Sequence, residues 1–265
     1  MSMSDLKMGS ARPAAATPRE IRVIVLAAGK GKRLQSESTD LPKVLREAAG
    51  RPLLAWVLDN LAFISQDRTI LVIGFQAEKV QLAMGETYQY AFQKEQLGTG
   101  HAVAAAAPLL QDYEGDVLVI YGDMPLFKPD TYRKLVEKHQ ASGADCTMLT
   151  AIADHIPDYG RVLRDANGRF AGIVEQKDCT PEQLLIHEVN PGIYVFKAPL
   201  LLRVLSSLRN ENAQGEYYLT DVPLLVMETG VKIETETIHD DDQIIGVNTL
   251  EDLARCERIL QKERT

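Results

Sequence analysis

The run Ile21-Arg22-Val23-Ile24-Val25-Leu26-Ala27-Ala28-Gly29-Lys30-Gly31-Lys32-Arg33-Leu34 decides the fold class. Residues 21–28 are apolar except for Arg22 and stop against a glycine, the pattern of a strand buried on both faces of a parallel sheet rather than the alternation of a half-solvated one. Two glycines follow at once, with Lys30, Lys32 and Arg33 around them. Glycine lets backbone N–H groups come close to a phosphate, so the turn is a candidate phosphate cradle. It is not a P-loop, and it lacks the third glycine of the dinucleotide fingerprint. Taken alone, it also reads as an ordinary turn with solvated lysines.

Outward from this strand, short β-branched runs alternate with longer amphipathic segments. Leu53, Val57, Leu61 and Ile64 recur at helical spacing behind Pro52, a good first-turn residue. Strands are predicted over 69–75, 88–93, 117–121 and 146–153, and helices over 77–84, 100–110 and 131–140. After position 153 the rhythm changes. Residues 161–164 and 169–176 flank Asn167-Gly168, which suits a tight hairpin, so antiparallel pairing is expected there. A strand over 189–196, helices over 200–208 and 219–228, an edge strand over 233–238 and a closing helix over 249–262 with Thr249 as N-cap complete the reading. The fold class expected is α/β: a Rossmann-like mixed, mostly parallel sheet flanked by helices, with a smaller antiparallel lobe.

The chain has 265 residues, 45% hydrophobic and 25% charged, which excludes collagen-like, wholly disordered and disulfide-scaffold classes. A net charge of 29 − 37 = −8 argues against a broad nucleic-acid footprint, and an anionic substrate would need a local positive pocket. No run approaches the roughly 20 apolar residues of a membrane span. Cys146, Cys179 and Cys256 have neither disulfide-framework nor zinc-site spacing, so a reducing cytoplasm is the expected compartment. Residues 1–18, rich in Ala, Ser and Pro, read as a disordered tail, and 19–265 as the domain. The acidic run Asp240-Asp241-Asp242 reads as a solvated loop, and no HExxH or GxSxG motif occurs.

Further motifs sharpen the reading of the glycine turn. Leu41-Pro42-Lys43 places a lysine on a stiff approach, where it can neutralise charge on a phosphate. Outside that context, Lys43 reads as a surface residue. The apolar run 117–121 leads through Gly122 into Asp123, and an acid at a strand end either faces a ligand or caps a helix. With Gln93-Lys94-Glu95-Gln96-Leu97-Gly98-Thr99-Gly100-His101-Ala102, Tyr159-Gly160-Arg161-Val162, Gly246-Val247-Asn248 and Asn212-Ala213-Gln214-Gly215-Glu216-Tyr217-Tyr218-Leu219-Thr220-Asp221, the chain resembles the nucleoside-triphosphate:sugar-1-phosphate nucleotidylyltransferases. Within them it resembles in particular the uridylyltransferase domain of bacterial N-acetylglucosamine-1-phosphate enzymes.

That resemblance runs from about Ile21 to the last helix and implies a division of labour. Leu26, Ala27, Ala28, Gly29, Gln93, Gly98 and Thr99 would bind the nucleotide, an amide and backbone groups suiting a pyrimidine edge. Gly160, Glu175, Asn190, Tyr218 and Thr220 would bind the sugar. Asp123 and Asn248 would hold Mg²⁺, which suits one or two protein oxygens with substrate phosphates. Lys43 would steady the reacting phosphates, and Arg33 the departing pyrophosphate, so that Arg33, Lys43 and Asp123 form the catalytic set. The implied partners are UTP and a sugar 1-phosphate, N-acetylglucosamine 1-phosphate above all, with no nucleic acid and no membrane. The sequence is compatible with a homo-oligomer and does not specify one.

Three departures from the family pattern bear on this: Lys32 where threonine is common, Pro191 after Asn190, and a longer loop at 35–39. Pro191 bears on the sugar side, since it removes a hydroxyl and a backbone donor beside the expected pocket. The family's bifunctional members continue into a hexapeptide-repeat acetyltransferase, and no such repeat occurs here, so that second activity is not expected of this sequence. The same chemistry with another nucleotide or sugar, and a nucleotide-sugar sensor without turnover, are the competing readings.

Overall fold

Residues 19–34, 41–212 and 214–263 are described in the structure, a computed structural model. The tail 1–18, the lengthened loop 35–39, the Lys32 side chain and Ala213 lie outside the described residues.

In chain order the strands are β1 (Ile21–Ala27), β2 (Glu47–Ala48), β3 (Arg51–Pro52), β4 (Thr69–Ile73), β5 (Gln89–Phe92), β6 (Asp116–Tyr121), β7 (Cys146–Ile152), β8 (Gly160–Arg164), β9 (Phe170–Val174), β10 (Glu188–Asn190), β11 (Tyr194–Lys197) and β12 (Ile233–Ile238). The helices are α1 (Leu53–Asp59), α2 (Ala77–Met84), α3 (Thr99–Ala105), α4 (Pro129–Ser142), α5 (Pro181–Leu184), α6 (Ala198–Leu205), α7 (Val222–Glu228) and α8 (Leu250–Glu263). Among the described residues, ten strands form one mixed sheet in the order β5-β4-β1-β6-β11-β7-β10-β8-β9, with β12 beside β7, while β2 and β3 pair separately.

The β5-β4-β1-β6 half is parallel. Its central strand shows why the opening run has no polar alternation. Val23, Val25 and Ala27 face one core with α1, α2 and α4, whereas Ile24, Leu26 and Ala28 face the other with α3, α6 and α7. Both faces are covered, and each fully buried large aliphatic contributes about 1.5–3 kcal/mol. The chain winds outward from β1 to β4 and β5, then returns to β6 on the far side of β1. A crevice therefore opens outside the carboxyl ends of β1 and β6, where an open α/β sheet takes its ligands.

The antiparallel part expected as a smaller lobe is present, and it is continuous with the main sheet. β11 lies between β6 and β7, antiparallel to both, and β10 links β7 to the β8-β9 hairpin. The strand predicted over 189–196 is accordingly two. Pro191 lacks an N–H and Gly192 takes a φ of 80°, so the ladder breaks between β10 and β11. The helix predicted over 100–110 starts one residue earlier and turns to 3-10 geometry over Ala107–Leu110, which contains Pro108. The helix predicted over 219–228 begins as a 3-10 turn, Leu219–Asp221, and becomes α7 with Pro223 in its first turn.

Among the described residues β12 pairs with β7 alone, as an edge strand should. The α8 N-terminus is closed reciprocally: the Asp252 N–H donates to Thr249 Oγ1 at 3.1 Å, and the Thr249 N–H to Asp252 Oδ2 at 2.8 Å. The Asp240–Asp242 run is part of the tertiary structure: Asp240 takes hydrogen bonds from Lys128 and Gln243, and Asp242 pairs with Arg255. No helix among the described residues is long and apolar enough to cross a membrane.

Candidate active site

The crevice holds two cavities. The first, about 250 Å³, is lined by Leu26, Ala27, Ala28 and Gly29 from the end of β1, by Gln93, Gln96, Gly98 and Thr99 from the β5–α3 connection, and by Lys43, Tyr121 and Asp123. All seven residues expected to bind the nucleotide therefore come together. The β5–α3 connection is held close to its neighbours by glycines. At Gly98, φ is 115° and a Cβ would lie 2.5 Å from the Tyr217 carbonyl oxygen, so only glycine fits. Gln93 is buried, with Nε2 donating to the Gly98 carbonyl at 3.0 Å and standing 3.1 Å from His101 Nδ1.

The second cavity, about 210 Å³, is lined by Gly160, Glu175, Asn190, Thr220 and Asn248, together with Tyr121, Asp123, Met124, Asp158, Tyr159 and Gly192. Tyr121 and Asp123 belong to both cavities. The Pro191 departure is absorbed locally: Asn190 Nδ2 donates to Tyr194 Oη at 2.7 Å, and its Oδ1 accepts the Gly192 N–H at 3.1 Å. The donor lost at Pro191 is thus not one that Asn190 uses. Gly192 cannot be larger, since a Cβ there would lie 2.4 Å from Tyr121 Cε2. Thr220 Oγ1 is buried without a hydrogen-bond partner among the described residues, leaving a hydroxyl available to a ligand.

Between the cavities, three side chains from distant segments meet. Lys43 Nζ donates to Asp123 Oδ2 and, at 2.8 Å, to Asn248 Oδ1. Each partner is held from behind. The Val247 N–H donates to the Asp123 carbonyl at 3.0 Å, which ties the 246–248 segment to the end of β6. Asn248 Nδ2 donates to the Gly246 carbonyl at 3.1 Å, which leaves Oδ1 as the atom turned toward the centre. Lys43 sits on a 3-10 turn, Lys43–Leu45, pinned by buried Val44 and Leu45.

A carboxylate and an amide oxygen converging on one cation are the hard donors Mg²⁺ prefers. Here the ammonium of Lys43 stands in for the positive charge, so the two residues expected as metal ligands fit the role. Among the described residues, no three His, Cys, Asp or Glu side chains gather as a larger cage.

Two expected site residues lie apart. Arg33 is exposed and lines a third cavity with His155, Asp158, Asn248 and Arg255 rather than the nucleotide cavity. The reason is Leu34: fully buried against the α8 cluster, it turns the Lys32–Leu34 segment so that its neighbour points outward. Tyr218 lines neither principal cavity and lies half-buried near Glu175 and Glu216. Conversely, Gln96, Tyr121, Asp158 and Tyr159 line the site without having been singled out. Tyr121 carried a signal, being the last residue of the strand that presents Asp123. Burial pushes the Tyr121 and Tyr159 phenols up, so both stay protonated, and Tyr159 Oη donates to the Ile244 carbonyl at 2.8 Å.

Beside the second cavity, burial and then the carboxylates of Glu175 and Asp178 raise the pKa of Asp221. A carboxyl whose folded pKa is raised contributes stability that is fully present below its unfolded value, about 3.9, and is lost as pH rises through the folded value. Asp221→Asn keeps the shape and removes the charge. It is expected to melt about 1–3 °C above the wild type near pH 7, with the difference closing near pH 3, as thermal melts at both pH values would record. An equal gap at both would assign the effect to something other than ionisation.

The fold and this crevice define the class: the nucleotidyl transferase family model matches residues 22–238, and the chain belongs to that family. Among individual proteins, it is 46% identical over 244 residues to the bifunctional protein GlmU of Paraburkholderia phymatum, covering 91% of this chain and 52% of that one. It is 47% identical over 243 residues to GlmU of Burkholderia vietnamiensis, with 91% and 52% covered. For GlmU of Geobacter metallireducens, identity is 41% over 245 residues, with 92% and 51% covered. The chain spans about half the length of these relatives. A Bacillus anthracis protein described as a glucose-1-phosphate thymidylyltransferase shares the fold at a TM-score of 0.73 and 18% identity, covering 91% of this chain and 95% of that one.

Proposed function

We propose that residues 19–265 form a uridylyltransferase unit that transfers UMP from UTP to N-acetylglucosamine 1-phosphate, releasing pyrophosphate and giving UDP-N-acetylglucosamine. The observation that carries this reading is the meeting of two cavities at Lys43, Asp123 and Asn248. A nucleotide in one and a phosphorylated sugar in the other bring both phosphates to the same three side chains. The motif resemblance and the similarity to GlmU proteins support the choice of substrates. The expected setting is the cytoplasm.

The sugar phosphate oxygen attacks the α-phosphorus in line; that P–O bond forms as the bond to the bridging oxygen of pyrophosphate breaks. The nucleophile is already ionised at neutral pH, so the protein supplies position and charge rather than a base. Leu26–Gly29, Gln93, Gly98 and Thr99 hold the nucleotide, while Gly160, Glu175, Asn190 and Thr220 orient the sugar. Lys43 neutralises the phosphates as charge shifts toward the leaving group. Mg²⁺ held by Asp123 and Asn248 would supply further neutralisation of phosphate oxygens. Arg33 lines the neighbouring cavity together with Asn248 and would steady the departing pyrophosphate from there.

Pyrophosphate release measured with UTP, dTTP and CTP against N-acetylglucosamine 1-phosphate and glucose 1-phosphate tests the proposal. A site built around an acetamido group leaves polar groups unpaired with glucose, so kcat/KM should favour the N-acetylated sugar by at least about tenfold, roughly 1.4 kcal/mol. Equal values, or a preference for glucose 1-phosphate, would overturn the sugar assignment. No release with any pair would overturn catalysis.

A further inference from the structure

The two oxygens assigned to a metal are already engaged by a protein cation. Lys43 Nζ donates to both Asp123 Oδ2 and Asn248 Oδ1, with the Lys43 and Asp123 side chains only 12% and 18% exposed. We propose that the Lys43 ammonium and a divalent cation are alternative occupants of this one site, so that metal entry displaces Lys43 toward the nucleotide phosphates. This rests on the reading of Asp123 and Asn248 as metal donors.

An ammonium is a compact point charge on a flexible four-carbon stem, the side chain best suited to stand in for a small cation and then leave. Two cations cannot share two oxygens in a partly desolvated crevice without strong repulsion. Asn248 Oδ1 is held in place by the Nδ2 bond to the Gly246 carbonyl, and the 246–248 segment is tied to the Asp123 backbone carbonyl through the Val247 N–H, so the group on the long flexible stem, the lysine, is the one that yields. Its backbone is pinned by Val44 and Leu45, but the side chain lines the nucleotide cavity and has somewhere to go. Triphosphate oxygens there would give the displaced ammonium new partners. Metal and nucleotide should therefore bind with positive coupling, each strengthening the other.

Water-proton relaxation enhancement by Mn²⁺ tests the exchange on the full chain, with and without UTP. If the Lys43-paired state dominates the free protein, the apparent metal affinity is lowered by the fraction that is competent. Lys43→Met should then bind Mn²⁺ alone at least about tenfold more tightly than the wild type, with weaker coupling to UTP. Lys30→Met, which removes a charge from the glycine-rich loop, should shift Mn²⁺ affinity by less than about threefold. If melting shows Lys43→Met to be unfolded, Lys43→Gln replaces it.

Unchanged or weaker Mn²⁺ binding in the Lys43 variant, with UTP-assisted binding intact in the wild type, would overturn the exchange and leave the metal assignment standing. Equal tightening in Lys30→Met would reduce it to a diffuse charge effect and likewise overturn it. Failure of the wild type to bind Mn²⁺ even with UTP would overturn the metal assignment itself.

Discussion

Asp123→Ala is expected to lower kcat by at least about 10³-fold, since it removes both the carboxylate proposed as a metal donor and the charge that positions Lys43. The fold should survive. Asp123 lies just past the end of β6, outside the two cores that hold the sheet, and its backbone carbonyl rather than its side chain anchors Val247. Lys43 retains Asn248 Oδ1, and the crevice admits water to the vacated position. The melting temperature should therefore stay within about 5 °C of the wild type. A pyrophosphate-release assay beside a thermal melt decides the matter. Activity lost only in step with unfolding would show Asp123 to be a structural acid.

The second large effect is at Lys43. Lys43→Ala should reduce kcat by about 10²–10³-fold, the scale for one preorganised charge-stabilising donor, while the KM for UTP changes by less than about tenfold. The split follows from the location of Nζ, which stands between the two cavities, whereas the proposed nucleotide cavity is lined mainly by the end of β1 and the β5–α3 connection. A solvated surface lysine would leave kcat near the wild-type value. Steady-state kinetics separates the outcomes, and in Lys43→Met the expected metal-binding readout is opposite in sign to this loss of turnover.

Much of the site was legible before any tertiary contact was known. The glycine turn after a doubly buried strand, the acid after β6 and the Gln93–Ala102 string each occupy a few consecutive residues, and each sits where a parallel sheet exposes its carboxyl ends. The least legible parts depend on packing. Arg33 follows the cationic pattern of the turn, yet burial of Leu34 against α8 sends it to a neighbouring cavity. Tyr159 reads as part of a local motif, and only the bond to the Ile244 carbonyl shows it supporting the segment that carries Asn248.

The sequence by itself determined the parallel half of the sheet, because a strand buried on both faces must be apolar throughout and a helix must repeat at its own period. It also determined which residue types could bind phosphate, a metal and a sugar. Tertiary structure alone decided three things. It joined the antiparallel part to the main sheet through β11, which lies against both β6 and β7. It divided the crevice into two cavities at Tyr121 and Asp123. And it brought Lys43 onto Asp123 and Asn248, the latter 205 residues away in sequence. Backbone preference and periodicity are properties of short windows, whereas the meeting of side chains so far apart depends on sheet register and on where α8 docks, which no local window contains.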